Sequence, residues 1–371
     1  MLNSTLIKWL SRDVPNKSSG LIARKNIALF TDIGLKRTQN QDRVACLKVG
    51  GDKHVEGGFL ALVVCDGMGG MKDGAECATR AVAAFFNSLI KHRHRPEMER
   101  LRLSTFEANE SVFDFSNGAG GATLSAILIT EKYGTFSVNV GDSRIYAETI
   151  GNTKELHRLT IDDSLAEAVG GHGRELLQFI GMGPGIQPHI SFVSNIYDRF
   201  LLTTDGIHFA DSGTLSNIFI NSTDINQAAS RLATLARWLG APDNASGAAI
   251  SLQDAKETLT NDQHSIQILD PFSELHIAWI KEDLKRSPSK ESALEESPKT
   301  TIDLIPSPEN EKKSDAKFLS KENKIDPEEK PKKSRTKKKV KSTTEAPKPE
   351  DLQIVIEMDT GHKDSADDSS R

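Results

Sequence analysis

The stretch TLSAILITEKYGTFSVNVGDSRIYAET, residues 123–149, decides the fold. Three apolar-rich runs, 123–130, 134–140 and 144–149, are separated only by turn signals at Lys132-Tyr133 and Gly141-Asp142. They read as an antiparallel meander, which favours an α+β layered protein over a doubly wound one. Further strands are expected at 26–31, 43–49, 59–65, 199–204 and 247–252. Helices are expected at Ala75–Lys91, with Ala78, Val82, Phe85, Phe86 and Leu89 on one side, and at Glu97–Phe113. A third helix should run from Asp224, a good N-cap, to Leu239, where Gly240 and Pro242 supply stop signals. The arm at 1–25 is polar apart from LIKWL, and reads as a frayed segment or a short helix docked on the body.

Composition divides the chain near residue 281. From there to Arg371, 42 of 91 residues are charged and eight of the fourteen prolines occur, so too little apolar surface is available to offset ordering entropy. This sets a body at 26–280 and an expected disordered tail at 281–371. The tail is balanced, 21 basic against 21 acidic residues, which leaves the whole net charge of -5 on residues 1–280. A mildly acidic body argues against nucleic acid as a partner. Cys46, Cys65 and Cys77 have neither metal-ligand spacing nor an even count, which fits a reducing cytoplasm. No run approaches the length of a membrane span, so no membrane partner is expected.

Four aspartates stand at the ends of such runs. Asp66 begins DGMGG after the apolar run Phe59–Cys65, and Asp205 begins DGI after residues 198–204. Asp42 closes RTQNQD, and Asp243 lies in APDNAS ahead of the last strand-like run. If they converge, their mutual repulsion needs a bound cation to offset it.

In order, the chain reads TDIGLKRTQNQD (31–42), VVCDGMGG (63–70), GATL (121–124), VNVGDSRIY (138–146), LTIDDS (159–164), LLTTDGI (201–207) and DNAS (243–246). This series resembles the PPM (type 2C) family of metal-dependent protein phosphatases, in its bacterial form, across residues 27–253. The resemblance implies an antiparallel β-sandwich flanked by helix pairs and hydrolysis of phosphoserine or phosphothreonine by a dimetal-bound water. It implies that Asp66 bridges two divalent ions, Mg or Mn, that Gly67 lends a backbone carbonyl, and that Asp205 and Asp243 complete one ion. Asp42 would hold metal-bound water and Arg37 would grip the substrate phosphate. The residue types suit that chemistry: hard oxygen ligands favour Mg or Mn, and the planar guanidinium fork matches two phosphate oxygens. GDSR (141–144) reads as an architectural tight turn, and Asn244 as a side chain that fixes its loop.

The chain departs from the family pattern in places. Met68 replaces the histidine that many eukaryotic members use to protonate the leaving alkoxide, and Gln41 replaces a glutamate of some members. SNGAGGAT offers Ser116 and Asn117, with Asp114 further off, where bacterial members place an aspartate for a third metal, so two ions are expected rather than three. The flap between Ser164 and Phe179 is short, with GGHG at 170–173; His172 there reads as a loop residue. The alternatives to a phosphatase are a catalytically weak scaffold that binds phosphoproteins, and a two-metal nuclease or phosphodiesterase, which would want a basic cleft.

Expected partners are phosphorylated proteins and a cognate Ser/Thr kinase. In the tail, the basic cluster Lys330–Lys341 reads as solvated charge, while Thr300, Thr301, Ser307, Thr343 and Thr344 are candidate phosphorylation sites. LQIVIEM (352–358) alternates like a strand, and could dock on a protein partner or back onto the domain.

Overall fold

The computed structural model describes residues 1–14, 18–50, 58–68, 73–130, 132, 134–170, 175–253, 255, 265–279 and 354–359. Tyr133, His172, the basic cluster at 330–341 and the candidate phosphorylation sites at 300–344 lie outside these residues. In chain order the first half comprises α1 (Leu2–Leu10), β1 (Ser19–Ala23), β2 (Ile27–Asp32), β3 (Arg43–Val49), β4 (Phe59–Cys65), α2 (Gly74–Lys91), α3 (Glu97–Ser116), β5 (Leu124–Thr130), β6 (Gly134–Val140) and β7 (Arg144–Thr149). The second half comprises β8 (Leu156–Arg158), α4 (Leu165–Val169), β9 (His189–Val193), β10 (Tyr197–Thr203), α5 (Asp205–His208), α6 (Ser212–Ile220), α7 (Ile225–Trp238), β11 (Ala245–Ser251), β12 (Ser265–Leu269), β13 (Glu274–Trp279) and β14 (Ile354–Asp359).

Among the described residues every strand pairing is antiparallel. One sheet has the order β1-β2-β11-β10-β7-β8, the other β14-β13-β12-β3-β4-β5-β6-β9. The 123–149 meander therefore divides between sheets: β5 and β6 pair with each other, and the Gly141 turn sends β7 into the opposite sheet. Gly141 can make that turn because its φ is +98°, and a Cβ there would come within 2.7 Å of Thr123 Cγ2.

β4 shows why its sequence carries no polar residue. Leu60, Leu62 and Val64 face the space between the sheets with Leu29, Ile127, Phe200 and Ile250. Phe59, Ala61, Val63 and Cys65 share the outer core with Ala78, Val82, Phe85 and Leu89 of α2. A strand covered on both faces needs apolar residues at both parities, and burying each large side chain contributes about 1.5–3 kcal/mol. Across the sandwich, Ala28, Phe30, Leu201 and Ala249 pack against Phe219 of α6 and Ala228 and Leu232 of α7. The layers are helix, sheet, sheet, helix. Cys46, Cys65 and Cys77 are all buried in these cores.

The expected strands all form, displaced by no more than two residues at their ends. The three expected helices form as well, and the Asp224 carboxylate caps α7 by accepting from Gln227 N at 2.8 Å. The N-terminal arm contains α1, whose Leu6, Trp9 and Leu10 are buried against the helical face of the larger sheet. Arg12 follows α1, lies 4.1 Å above the Trp9 ring and donates to Asp270 at 2.7 and 2.9 Å. Five strands beyond the expected set also form, β1, β8, β9, β12 and β13, together with β14 at the site expected of a docking strand. Among the described residues no helix is long and apolar enough to cross a membrane.

Candidate active site

Strand register builds the site at one rim of the sandwich. Arg43 pairs with Cys65, so the next residues outward, Asp42 before β3 and Asp66 after β4, emerge side by side. In the other sheet Thr203 pairs with Gly247 and Asp32 with Ala245, which brings Asp205, at the start of α5, and Asp243, just before β11, to the same rim. The loop from β2 to β3 crosses this rim and carries Arg37.

The glycines beside the aspartates allow these loops to close on one another. A Cβ on Gly67 would lie 2.3 Å from Gly74 O and 2.7 Å from Gln41 O; one on Gly206 would lie 1.9 Å from Asn244 O. Only glycine fits where backbone meets backbone so closely.

Hydrogen bonds then fix the loops that carry these carboxylates. Asp66 N donates to Thr123 Oγ1 at 2.8 Å, Thr123 N returns a bond to Asp66 O at 2.9 Å, and Thr123 Oγ1 shares a 2.7 Å bond with Ser143 Oγ. The GATL and GDSR blocks are thus the support of the Asp66 turn. Asn244 Oδ1 accepts from Gln41 N at 2.8 Å, and its Nδ2 donates to Ile33 O and Gln39 O at 2.9 and 3.0 Å, so this side chain does fasten the loop. Asn40 Oδ1 accepts from Asp42 N at 3.0 Å, and Thr204 Oγ1 donates to Asp42 Oδ2 at 2.9 Å. Asp42 Oδ1 is buried with no hydrogen-bond partner.

The electrostatics record how close these groups are. Burial pushes the Asp42 carboxyl up to about 7; the Ser246 and Thr204 hydroxyls oppose this, and the charges of Asp205 and Asp243 add to it. Asp66 is raised well above the usual carboxylate value, first by burial and then by Asp42, Asp205, Asp142 and Asp243. Asp142 is itself raised to about 6 by burial and by Asp205 and Asp162. The guanidinium of Arg37 donates to Asp243 Oδ2 at 2.6 Å, and that bond, with the charges of Asp243, Asp66 and Asp205, raises its pKa. Among the described residues no three His, Cys, Asp or Glu side chains are drawn into a ready-made cation cage. Asp243 is instead turned to Arg37.

The rim thus brings together Arg37, Asp42, Asp66, Gly67, Asp205 and Asp243. Sequence reading missed Asp142 as a contributor to the acidic field, since GDSR reads locally as a turn. Nothing local marks Thr204 either, although Asn40, two residues before Asp42, carries the signal of a side chain bonding its own loop. Asn117 ends α3 in the left-handed conformation, φ 51°. Arg144 is held by Asp162 at 2.7 Å, and Asp163 accepts from Gly141 N at 2.9 Å, so LTIDDS braces the GDSR turn. The flap begins at Ser164, which caps α4, and returns through Leu177 N to Asp163 O at 2.8 Å.

Comparison with known proteins identifies the family and the fold. The family described as Protein phosphatase 2C matches residues 36–240. Protein phosphatase PhpP of Streptococcus pneumoniae is 26% identical over 256 residues, 62% of this chain and 98% of its own length. A putative protein phosphatase 2C-type of Streptococcus pyogenes is 25% identical over 243 residues, 59% of this chain and 94% of its own. Among solved structures, the PPM Ser-Thr phosphatase MsPP of Mycobacterium smegmatis superposes with a TM-score of 0.51 at 24% identity, covering 62% of this chain and all of that one. The serine/threonine phosphatase Stp1 of Staphylococcus aureus gives 0.52 at 19% identity, covering 64% and 99%, and so shares the fold. With a match spanning the blocks from Arg37 to the end of α7, the chain belongs to the protein phosphatase 2C family.

Proposed function

We propose that the chain is a metal-dependent protein serine/threonine phosphatase that hydrolyses phosphate monoesters at this rim. The observation that carries the reading is the convergence of Asp42, Asp66, Asp205 and Asp243 from both sheets, close enough for the charges of Asp205 and Asp243 to raise the Asp42 and Asp66 carboxyls. A divalent cation fits the donors present. They are all oxygens, as Mg or Mn prefers, and the buried Asp42 Oδ1 has no protein donor to satisfy it. We assign Asp66, the Gly67 carbonyl, Asp205 and Asp243 as ligands of two such ions. When bound, the ions lower the pKa of a coordinated water and offset charge on the phosphoryl oxygens.

The remaining steps belong to the chain itself. Arg37 offers a guanidinium fork to two phosphate oxygens, exchanging its Asp243 partner for the substrate. Asp42 Oδ1, buried without a partner, would accept a hydrogen bond from the attacking water. Met68 carries no exchangeable proton, so the leaving alkoxide takes its proton from solvent or another group. Phosphorylated proteins are the substrate class, a cognate Ser/Thr kinase would supply them, and the cytoplasm is the compartment in which both occur.

The test is phosphate release from a phosphothreonine peptide with Mn or Mg, its arrest by a chelator, and its loss in Asp66→Asn and Asp205→Asn. Undiminished release in those variants would overturn the assignment. Tight peptide binding without turnover in the unaltered chain would instead favour a regulatory scaffold.

A further inference from the structure

Beyond the rim, the tail contributes a strand to the larger sheet. β14 pairs with β13 along its whole length, from Glu274↔Asp359 to Trp279↔Ile354. On its other side β13 pairs with β12, so without β14 its outward N–H and C=O groups would form the sheet's edge. An uncovered edge is a template for any extended chain.

The register is selective. Leu275 and Ile277, the β13 residues buried on the outer core, lie opposite Met358 and Ile356. His276, on the exposed face, lies opposite Glu357. In an antiparallel pair, residues directly opposite share a face, so Ile356 and Met358 stand at the register positions of Ile277 and Leu275, and Glu357 at that of His276. A slip of one residue would set Glu357 against Ile277 or Leu275. The composition of the tail makes the coincidence more telling, since 42 of its 91 residues are charged while residues 354–358 read IVIEM.

We propose that the outer edge of β13 is a docking surface for an extended peptide with apolar residues at alternate positions, and that residues 354–359 of the same chain occupy it. Docking within one chain does not depend on protein concentration, whereas a strand lent by a second copy does. The surface is separate from the phosphatase rim, and the inference stands whether or not the rim turns over substrate.

Successive N–H groups along a strand point to opposite sides, so Val355 and Ile356 cannot both point away from β13. A full-length Val355→Pro/Ile356→Pro variant therefore removes at least one ladder bond. Hydrogen exchange of the amides in residues 274–279 reads the result, with the amides of β4 as an internal control of folding. In the unaltered chain the half of the β13 amides not engaged by β12 should be protected equally at low and high protein concentration. In the variant they should exchange about tenfold faster or more, while β4 is unchanged. A synthetic peptide of residues 352–360 should restore protection to the variant and leave the unaltered chain as it was. Equal β13 exchange in the two proteins overturns the proposal. Protection that rises with protein concentration also overturns it, by making a second copy the occupant. Should the variant lose β4 protection, the same competition with a peptide carrying both Val355→Pro and Ile356→Pro on the unaltered chain at raised temperature decides: selective displacement by the native peptide supports docking, and no difference between the peptides overturns it.

Discussion

The Arg37 guanidinium lies 2.6 Å from Asp243 Oδ2, so the residue assigned to substrate phosphate is paired with one assigned to a cation. Both side chains are partly exposed, 39% and 26%, and such a pair adds little to stability. Its importance is positional. The carboxylate holds the fork at the rim, and on the proposed assignment a cation competing for Asp243 would free the fork for phosphate.

Arg37→Ala should therefore separate two effects. Phosphopeptide KM should rise about 10–100-fold, the equivalent of one charge-assisted hydrogen-bond pair. Cation affinity, measured by calorimetry, should stay equal or improve because Asp243 loses a competitor. Arg37→Lys should recover only part of the KM loss, since a point charge does not match two oxygens at once. Weaker cation binding in Arg37→Ala would contradict this coupling.

Asn244, a residue only 3% exposed, makes three hydrogen bonds through its side chain. Asn244→Ala leaves two carbonyls and one N–H without partners. It should cost about 2–4 kcal/mol in urea unfolding, and cation affinity should fall because the Asp243 loop is no longer tied to the Gln41 loop. A variant as stable as the parent would show that the loops are held together by other means.

Much of this was legible from local pattern. Asp66 could be placed because Phe59–Cys65 is apolar at every position, which marks a strand covered on both faces, and because the glycine after it permits a tight exit. β8 and β9 were not legible. His189–Val193 is mostly exposed and alternates over only four residues, so its pairing with β6, more than its own sequence, makes it a strand. The β12–β13 hairpin did carry a signal, with Ile266 and Ile268 answering Leu275 and Ile277 across a turn organised by Asp270. Gln267 and His276 interrupt it, and nothing local shows that their face is solvated. Asp142 is the instructive case at the site. Its turn role is local and readable, but its place in the field of Asp66 and Asp205 depends on loops far apart in sequence.

Gly206 tests whether the second DG pair is needed for space. Gly206→Ala puts a methyl group where Asn244 O now lies, 1.9 Å from the ideal Cβ. Backbone must move, so a loss of about 2 kcal/mol or more is expected, with weaker cation binding as Asp205 shifts with its neighbour. Thermal melts with and without Mn measure both. A variant with unchanged melting temperature and unchanged Mn response would show that the contact is easily relaxed.

The acidic cluster also sets a pH dependence whose sign can be worked out. Asp42 and Asp142 are raised to about 7 and about 6 from the ordinary value of 3.8, and Asp66 is raised too. Between roughly pH 4 and 7 the cation-free folded chain therefore keeps protons that the unfolded chain has released. The contribution of these groups to stability is fully present below about pH 4 and is lost as pH rises through that window. A divalent cation requires the deprotonated carboxylates, so its stabilising effect must grow over the same range. Saturating Mn should raise the melting temperature by about 5 °C more at pH 7.5 than at pH 5.0, and Asp42→Asn should reduce that difference. An Mn-induced shift of the same size at both pH values would mean that these carboxylates do not bind the ion, and the two-cation site would have to be sought elsewhere.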